Sequence, residues 1–172
     1  NLMAVSLAAW NLYGQGSWSD NFNSGSLGSG WFQSGQYLLT VESNQLKVSV
    51  NKSSMWASFG VNISAQDVRS KPIVNVKVKT SKPFLFTCWL VSSAGNIPLT
   101  IPVLASSNYN NLCFDFTGKD ANNNVLNAVT TILFGVNGEA LSWGGTFYMD
   151  DVMLGNAATK YAGVSSVADQ VF

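Results

Sequence analysis

From residue 18 onward the chain is built of runs of five to nine residues in which apolar side chains recur at every second position, each run closed by Gly, Asn, Ser or Pro. A period of two is the pattern of a β-strand, whose successive side chains point to opposite faces, and it does not fit a helix of period 3.6. Ten runs qualify: 18–22, 37–42, 45–51, 56–63, 72–80, 84–91, 97–101, 111–116, 130–137 and 146–154. Their near-even spacing predicts an all-β chain of about ten strands, folded as a two-sheet antiparallel β-sandwich or jelly roll. Helical spacing is hinted at only near 124–131.

At 172 residues the chain is one domain long, and residues 17–155 carry all the strands. Residues 1–16 form an apolar, uncharged N-terminal segment, read either as a strand donor or as a signal or linker remnant. Residues 156–172 are small and polar, a C-terminal extension or linker.

Alternation divides the strands into two sets. Leu46, Val48 and Val50 point inward, as do Val74, Val76 and Val78, and Leu112, Phe114 and Phe116; Lys47, Lys77, Lys79 and Asp115 are then left in water. The second set leaves no charge outside. With Phe59, Val61, Phe86, Cys88, Leu90, Ile132 and Phe134 inward, the outward residues are Trp56, Gly60, Asn62, Leu85, Thr87, Trp89, Val91, Leu133, Gly135 and Asn137, with Leu99 added from the 97–101 run. A large exposed apolar face of this kind marks an interaction surface. The same split puts Cys88 in the core and Cys113 outside it, so no disulfide is expected between them.

Composition narrows the chemistry. Nine basic side chains balance nine acidic ones, which argues against nucleic acid or an acidic membrane surface as partner. No run is long and apolar enough to span a bilayer as a helix. Histidine is absent, removing Ser-His-Asp and Cys-His catalysis and the commonest zinc sites. Carboxylates are the only acid–base candidates, and none of the nine falls on the uncharged face, with Glu139 in a nearby loop. A glycosidase needs two of them facing across a cleft. The chain reads as a non-enzyme. Low charge with abundant Ser, Asn and Gly points to an extracellular or cell-surface β-protein.

The ordered set SWSDNFNSGSLGSGW, WASFGVNIS, FLFTCWLVSSAGN, NLCFDFTG, TILFGVNG and GTFYMDDVMLG resembles the jelly-roll carbohydrate-binding modules of secreted glycoside hydrolases. The resemblance spans roughly residues 17–155, and its most specific piece is the closing strand at 148–155. It implies a non-catalytic module that holds polysaccharide on one sheet and carries a structural calcium. Trp56 and Trp89 are the residues expected to stack on sugar faces, with Asn62, Thr87 and Asn137 as polar partners and Tyr109 and Trp143 as a rim. The competing reading makes Trp56 and Trp89 packing residues covered by another segment. The groove is poor in hydrogen-bonding groups, which sugar hydroxyls require.

For calcium, which takes six to eight oxygens, strict alternation places Asp150 beside Tyr148 and Val152 on the inner face, where a lone carboxylate is costly. Asp20 is the natural second ligand if the first and last strands are neighbours. The simpler alternative is that Asp150 and Asp151 bond only to turn amides and solvent. A different class of function also fits: a self-assembling extracellular filament or sheath subunit, in which residues 1–15 of one copy add as a strand to the next copy's groove.

Overall fold

The structure, a computed structural model, describes residues 16–51, 57–121, 124–136 and 143–155. The strands are β1 (Trp18–Asp20), β2 (Trp31–Gln33), β3 (Tyr37–Glu42), β4 (Gln45–Val50), β5 (Phe59–Gln66), β6 (Ile73–Thr80), β7 (Phe84–Ser92), β8 (Gly95–Val103), β9 (Ser106–Asp115), β10 (Val129–Val136) and β11 (Gly145–Leu154). Sheet A runs β3-β4-β11-β6-β9, with β1 also paired to β11; sheet B runs β2-β5-β10-β7-β8. Every pairing is antiparallel, and the chain passes repeatedly from one sheet to the other. The fold is the expected β-sandwich, and the weak helical signal is a single 3₁₀ turn at Val125–Asn127.

The core follows the alternation. Leu46, Val48, Val74, Val76, Val78, Leu112 and Phe114 are buried from sheet A, against Phe59, Val61, Phe86, Cys88, Leu90, Ile132 and Phe134 from sheet B. At the centre, Phe86 and Phe134 stack with centroids 5.4 Å apart. Phe59 lies 5.6 Å from Phe134, and Phe147 of sheet A approaches Phe86 edge-on at 5.7 Å. Such pairs add about 0.5–1.5 kcal/mol each beyond their buried area. One polar stitch crosses the sandwich: the backbone N–H of Val136 donates to the hydroxyl of buried Tyr37 at 2.9 Å. Cys88 is buried on the core side and Cys113 is half-buried on the outer side.

Four expectations need correction. The short strand β2 was not among the ten runs, because Gly28, Gly30 and Gly35 make its surroundings read as loop. The strand expected from residue 56 begins at Phe59, and Trp56 lies outside the described residues. In β8 the phase is opposite to that expected: Leu99 pairs with Cys88 and packs against the core, while Pro98, Thr100 and Pro102 face out. In β11 a bulge at Asp150–Asp151, with Asp151 at φ 47, shifts the alternation. Phe147 and Met149 before it and Val152 and Leu154 after it all point inward, so Asp150 lies on the outer face and not with Val152.

Two outward positions of sheet B are glycines that make close approaches, Gly60 and Gly135. A Cβ at Gly60 would sit 2.3 Å from the carbonyl oxygen of Ile132. Backbone, unlike a side chain, has no rotamer with which to give way. We expect Gly60→Ala to lower the melting temperature by about 5 °C or more, from an overpacking cost of about 2 kcal/mol in a chain of this size. Thermal unfolding followed by circular dichroism checks this; an unchanged midpoint would show that β5 and β10 are not held so close.

Candidate functional site

The outer face of sheet B has a row-by-row order set by strand register. One row crosses all five strands: Phe32 of β2 pairs with Gly60 of β5, Gly60 with Leu133 of β10, Leu133 with Trp89 of β7, and Trp89 with Pro98 of β8. At about 4.8 Å per strand this apolar stripe is about 19 Å long. Leu133 leans over Gly60, since a Cβ there would meet its Cδ2 at 2.9 Å. The six-membered ring of Trp89 covers Gly135, where a Cβ would lie 3.1 Å from both Cη2 and Cζ3. Trp89 is thus laid along the sheet, half-buried, and its indole N–H has no partner among the described residues.

Polar side chains flank the stripe. On one side the row is Asn62, Thr131, Val91 and Asn96. The Thr131 hydroxyl donates to Asn62 Oδ1 at 3.1 Å, and the Asn62 side chain is exposed. On the other side are Gly135, Thr87 and Thr100. Thr87 is buried, and its hydroxyl shares a hydrogen bond of 2.8 Å with Thr100. Among the described residues no charged side chain belongs to these rows.

Of the residues expected at the site, the structure therefore brings Trp89 and Asn62 together on one face and commits Thr87 to a neighbour. Trp56 and Asn137 lie outside the described residues. Trp143 is not a rim: its ring packs 5.0 Å from Phe84, and its Nε1–H donates to the Pro83 carbonyl at 3.2 Å. Tyr109 is on β9, in the opposite sheet. Phe32 and Pro98 were missed. Pro98 was recoverable by placing Ile97 inward, whereas Phe32 depended on recognising β2.

Asp20 and Asp150 do not form one site. Asp20 is on the core side of β1, where its carboxylate accepts the Phe22 N–H at 2.8 Å and the Trp31 indole N–H at 2.9 Å. Asp150 is across the sheet on the outer face and accepts the Asp151 N–H at 2.8 Å. The described residues contain no group of three or more His, Cys, Asp or Glu suited to a metal ion. A calcium shared by Asp20 and Asp150 does not fit this geometry.

The outer face of sheet A has the opposite character. Lys47 pairs with Glu42, and Lys77 with Asp151. The Lys79 ammonium lies 5.0 Å from the ring centroids of both Tyr109 and Tyr148. Each such contact is worth about 0.5–1 kcal/mol at an exposed site. Burial raises the Asp150 carboxyl above its ordinary value, partly offset by the hydrogen bond from Asp151. The Tyr109 hydroxyl is buried and has no hydrogen-bond partner among the described residues. Burial first, then the charges of Asp150 and Asp151, push it up to about 12.

Solved structures place this fold. No family model matches the chain, and no curated protein matches it. A family 29 carbohydrate-binding module, solved as a variant to probe ligand recognition, is similar with a TM-score of 0.54 and 10% identity, over 80% of this chain and 90% of that one. An exo-β-agarase gives a TM-score of 0.63 at 11% identity over 80% of this chain, and a second agarase 0.60 at 9% over 83%. The chain spans about a quarter of the agarases' length, 24% and 25%. The likeness establishes the fold, the jelly-roll sandwich found in carbohydrate-binding modules.

Tyr109 yields a test of the sheet A electrostatics. A phenol whose folded value lies above its unfolded value of 10.0 contributes stability fully present below pH 10, which is lost as pH rises toward about 12. We expect Tyr109→Phe to be neutral or slightly stabilising at pH 7, because it removes a buried hydroxyl with no partner. Its melting temperature should also fall less steeply than the parent's above pH 10. A loss of stability at pH 7 would show that the hydroxyl does have a partner.

Proposed function

We propose that the chain is a non-catalytic carbohydrate-binding module of an extracellular protein, and that it takes an uncharged polysaccharide across the outer face of sheet B. The observation that carries this reading is the apolar stripe from Phe32 to Pro98, with Trp89 laid on a glycine and bordered by amides and hydroxyls. A pyranose ring has an apolar face of C–H groups and a rim of hydroxyls. The indole of Trp89 offers a flat apolar partner for the face. Asn62, Thr131 and Asn96 stand where rim hydroxyls need hydrogen bonds, which meets much of the shortage noted in the sequence. The absence of charge among the described residues of the face favours a neutral chain over a uronate or a sulfated one.

The structural neighbours support this: the family 29 module was also solved in complex with cellulohexaose, and two other neighbours are agarases. In this account Trp89 stacks on sugar, Asn62 bonds its hydroxyls, and Phe32 and Pro98 extend the platform at each end. The filament alternative rests on residues 1–15, which lie outside the described residues.

Two substitutions test the site by different routes. Trp89→Ala should weaken binding of cellulohexaose or an agaro-oligosaccharide, whichever the parent binds, at least about tenfold in calorimetry. Gly135→Ala keeps the indole but lifts it from the sheet, and should also weaken binding. Failure of the parent to bind any neutral polysaccharide, or full binding by both variants, would remove sheet B from consideration.

A further inference from the structure

The groove on the far side of the sandwich is not explained by a platform on sheet B. It has a volume of about 600 Å³ and is lined by Lys79, Ser81, Ser106, Ser107, Thr146 and Tyr148, among others. Lys79 makes no ion pair among the described residues, although the two other lysines of this sheet's face, Lys47 and Lys77, are paired with Glu42 and Asp151. Its ammonium is instead held against two tyrosine rings, 5.0 Å from each centroid. A lysine on a flexible stem normally loses much rotamer freedom when it engages a ligand; one already braced by two rings loses less. Around it stand hydroxyls, of which Ser106 Oγ already accepts the Asn108 N–H at 3.0 Å and retains its own proton to donate. A fixed cation with hydroxyl donors is the donor set of an oxyanion site.

We propose that this groove is a second binding site, which takes an anionic substituent carried on a saccharide, a sulfate ester or a uronate carboxylate. Lys79 supplies the charge, Ser81, Ser106, Ser107 and Thr146 supply hydrogen bonds, and Tyr148 offers a ring against which the sugar lies. Asp151 does not oppose the anion, because Lys77 neutralises it. Asp150, the remaining carboxylate of this sheet's bulge, interacts electrostatically with both Lys77 and Lys79 and so offsets part of the attraction for an anion. The two faces would then take different saccharides, a neutral chain on sheet B and a charged one on sheet A.

The test is a titration of the isotope-labelled full chain, at low salt, with glucose, a glucose sulfate ester, glucuronate and inorganic sulfate, read by amide chemical shifts. The expected result is saturable shifts at Lys79, Ser106, Ser107 and Thr146 with the sulfate ester or glucuronate, at least tenfold tighter than with glucose. Which of the two binds more tightly identifies the substituent. Lys79→Gln should abolish these shifts while Trp89→Ala leaves them intact, which separates this site from the one on sheet B. Tyr148→Leu serves as a second variant should Lys79→Gln fail to fold, and should weaken the same binding. Glucose bound as tightly as its charged derivatives, or unchanged binding in a folded Lys79→Gln, overturns the proposal. Inorganic sulfate bound as tightly as the sulfate ester overturns the saccharide assignment.

Discussion

Phe59, Phe86, Phe134 and Phe147 meet where the two sheets face one another, and their burial sets the phase of four strands. A slip of one residue in any of those strands would send its phenylalanine to solvent and its outward partner into the core. The face of sheet B is therefore a consequence of the core. Because Phe86 and Cys88 point in, Trp89 points out. Because Phe59 and Val61 point in, Gly60 falls on the outer side of the sheet, where it is covered by Leu133 and leaves room for the close approach of β10. The stripe from Phe32 to Pro98 needs no separate explanation once the core is fixed.

Where a strand is buried on one side and wet on the other, its sequence showed its orientation plainly. β4, β6 and β9 separate from β5, β7 and β10 by the charge on their outward positions alone. Lys47, Lys77 and Lys79 mark one set; Asn62, Trp89 and Leu133 mark the other. Legibility failed where that contrast fades. β8 is an edge strand whose two sides are both partly exposed, so Ile97-Pro98-Leu99-Thr100-Ile101 admitted either phase. β2 has three residues among glycines and no alternation to read. The bulge at Asp150–Asp151 inserts one residue into a regular pattern, a step that no period-two reading anticipates, and it is what separated Asp150 from Asp20. Tyr109 and Trp143 failed for a different reason. Their positions depend on which strands become neighbours, and that is a property of the sheet order and not of any local run.

The two outer faces put the protein's few charges to contrasting use. Sheet A carries Glu42, Lys47, Lys77, Lys79, Asp150 and Asp151, mostly in pairs, as a hydrated surface does. Sheet B carries none of them among its described outward residues. An uncharged face with a flat indole is costly to leave in water and cheap to cover with something equally uncharged. The prolines at positions 98 and 102 also matter here. They remove backbone donors from β8, an edge strand, and so make that edge a poor template for another strand while leaving the face open.

The proposed function requires that a neutral polysaccharide bind on sheet B and not on sheet A. The most direct measurement is to titrate the isotope-labelled chain with cellulohexaose and with an agaro-oligosaccharide and map which signals move. The account predicts saturable shifts of the Trp89 indole N–H and of the amides of Phe32, Gly60, Asn62 and Leu133, with the core signals of Phe86 and Phe134 changing little. Shifts confined to sheet A, or none with either oligosaccharide, would contradict it.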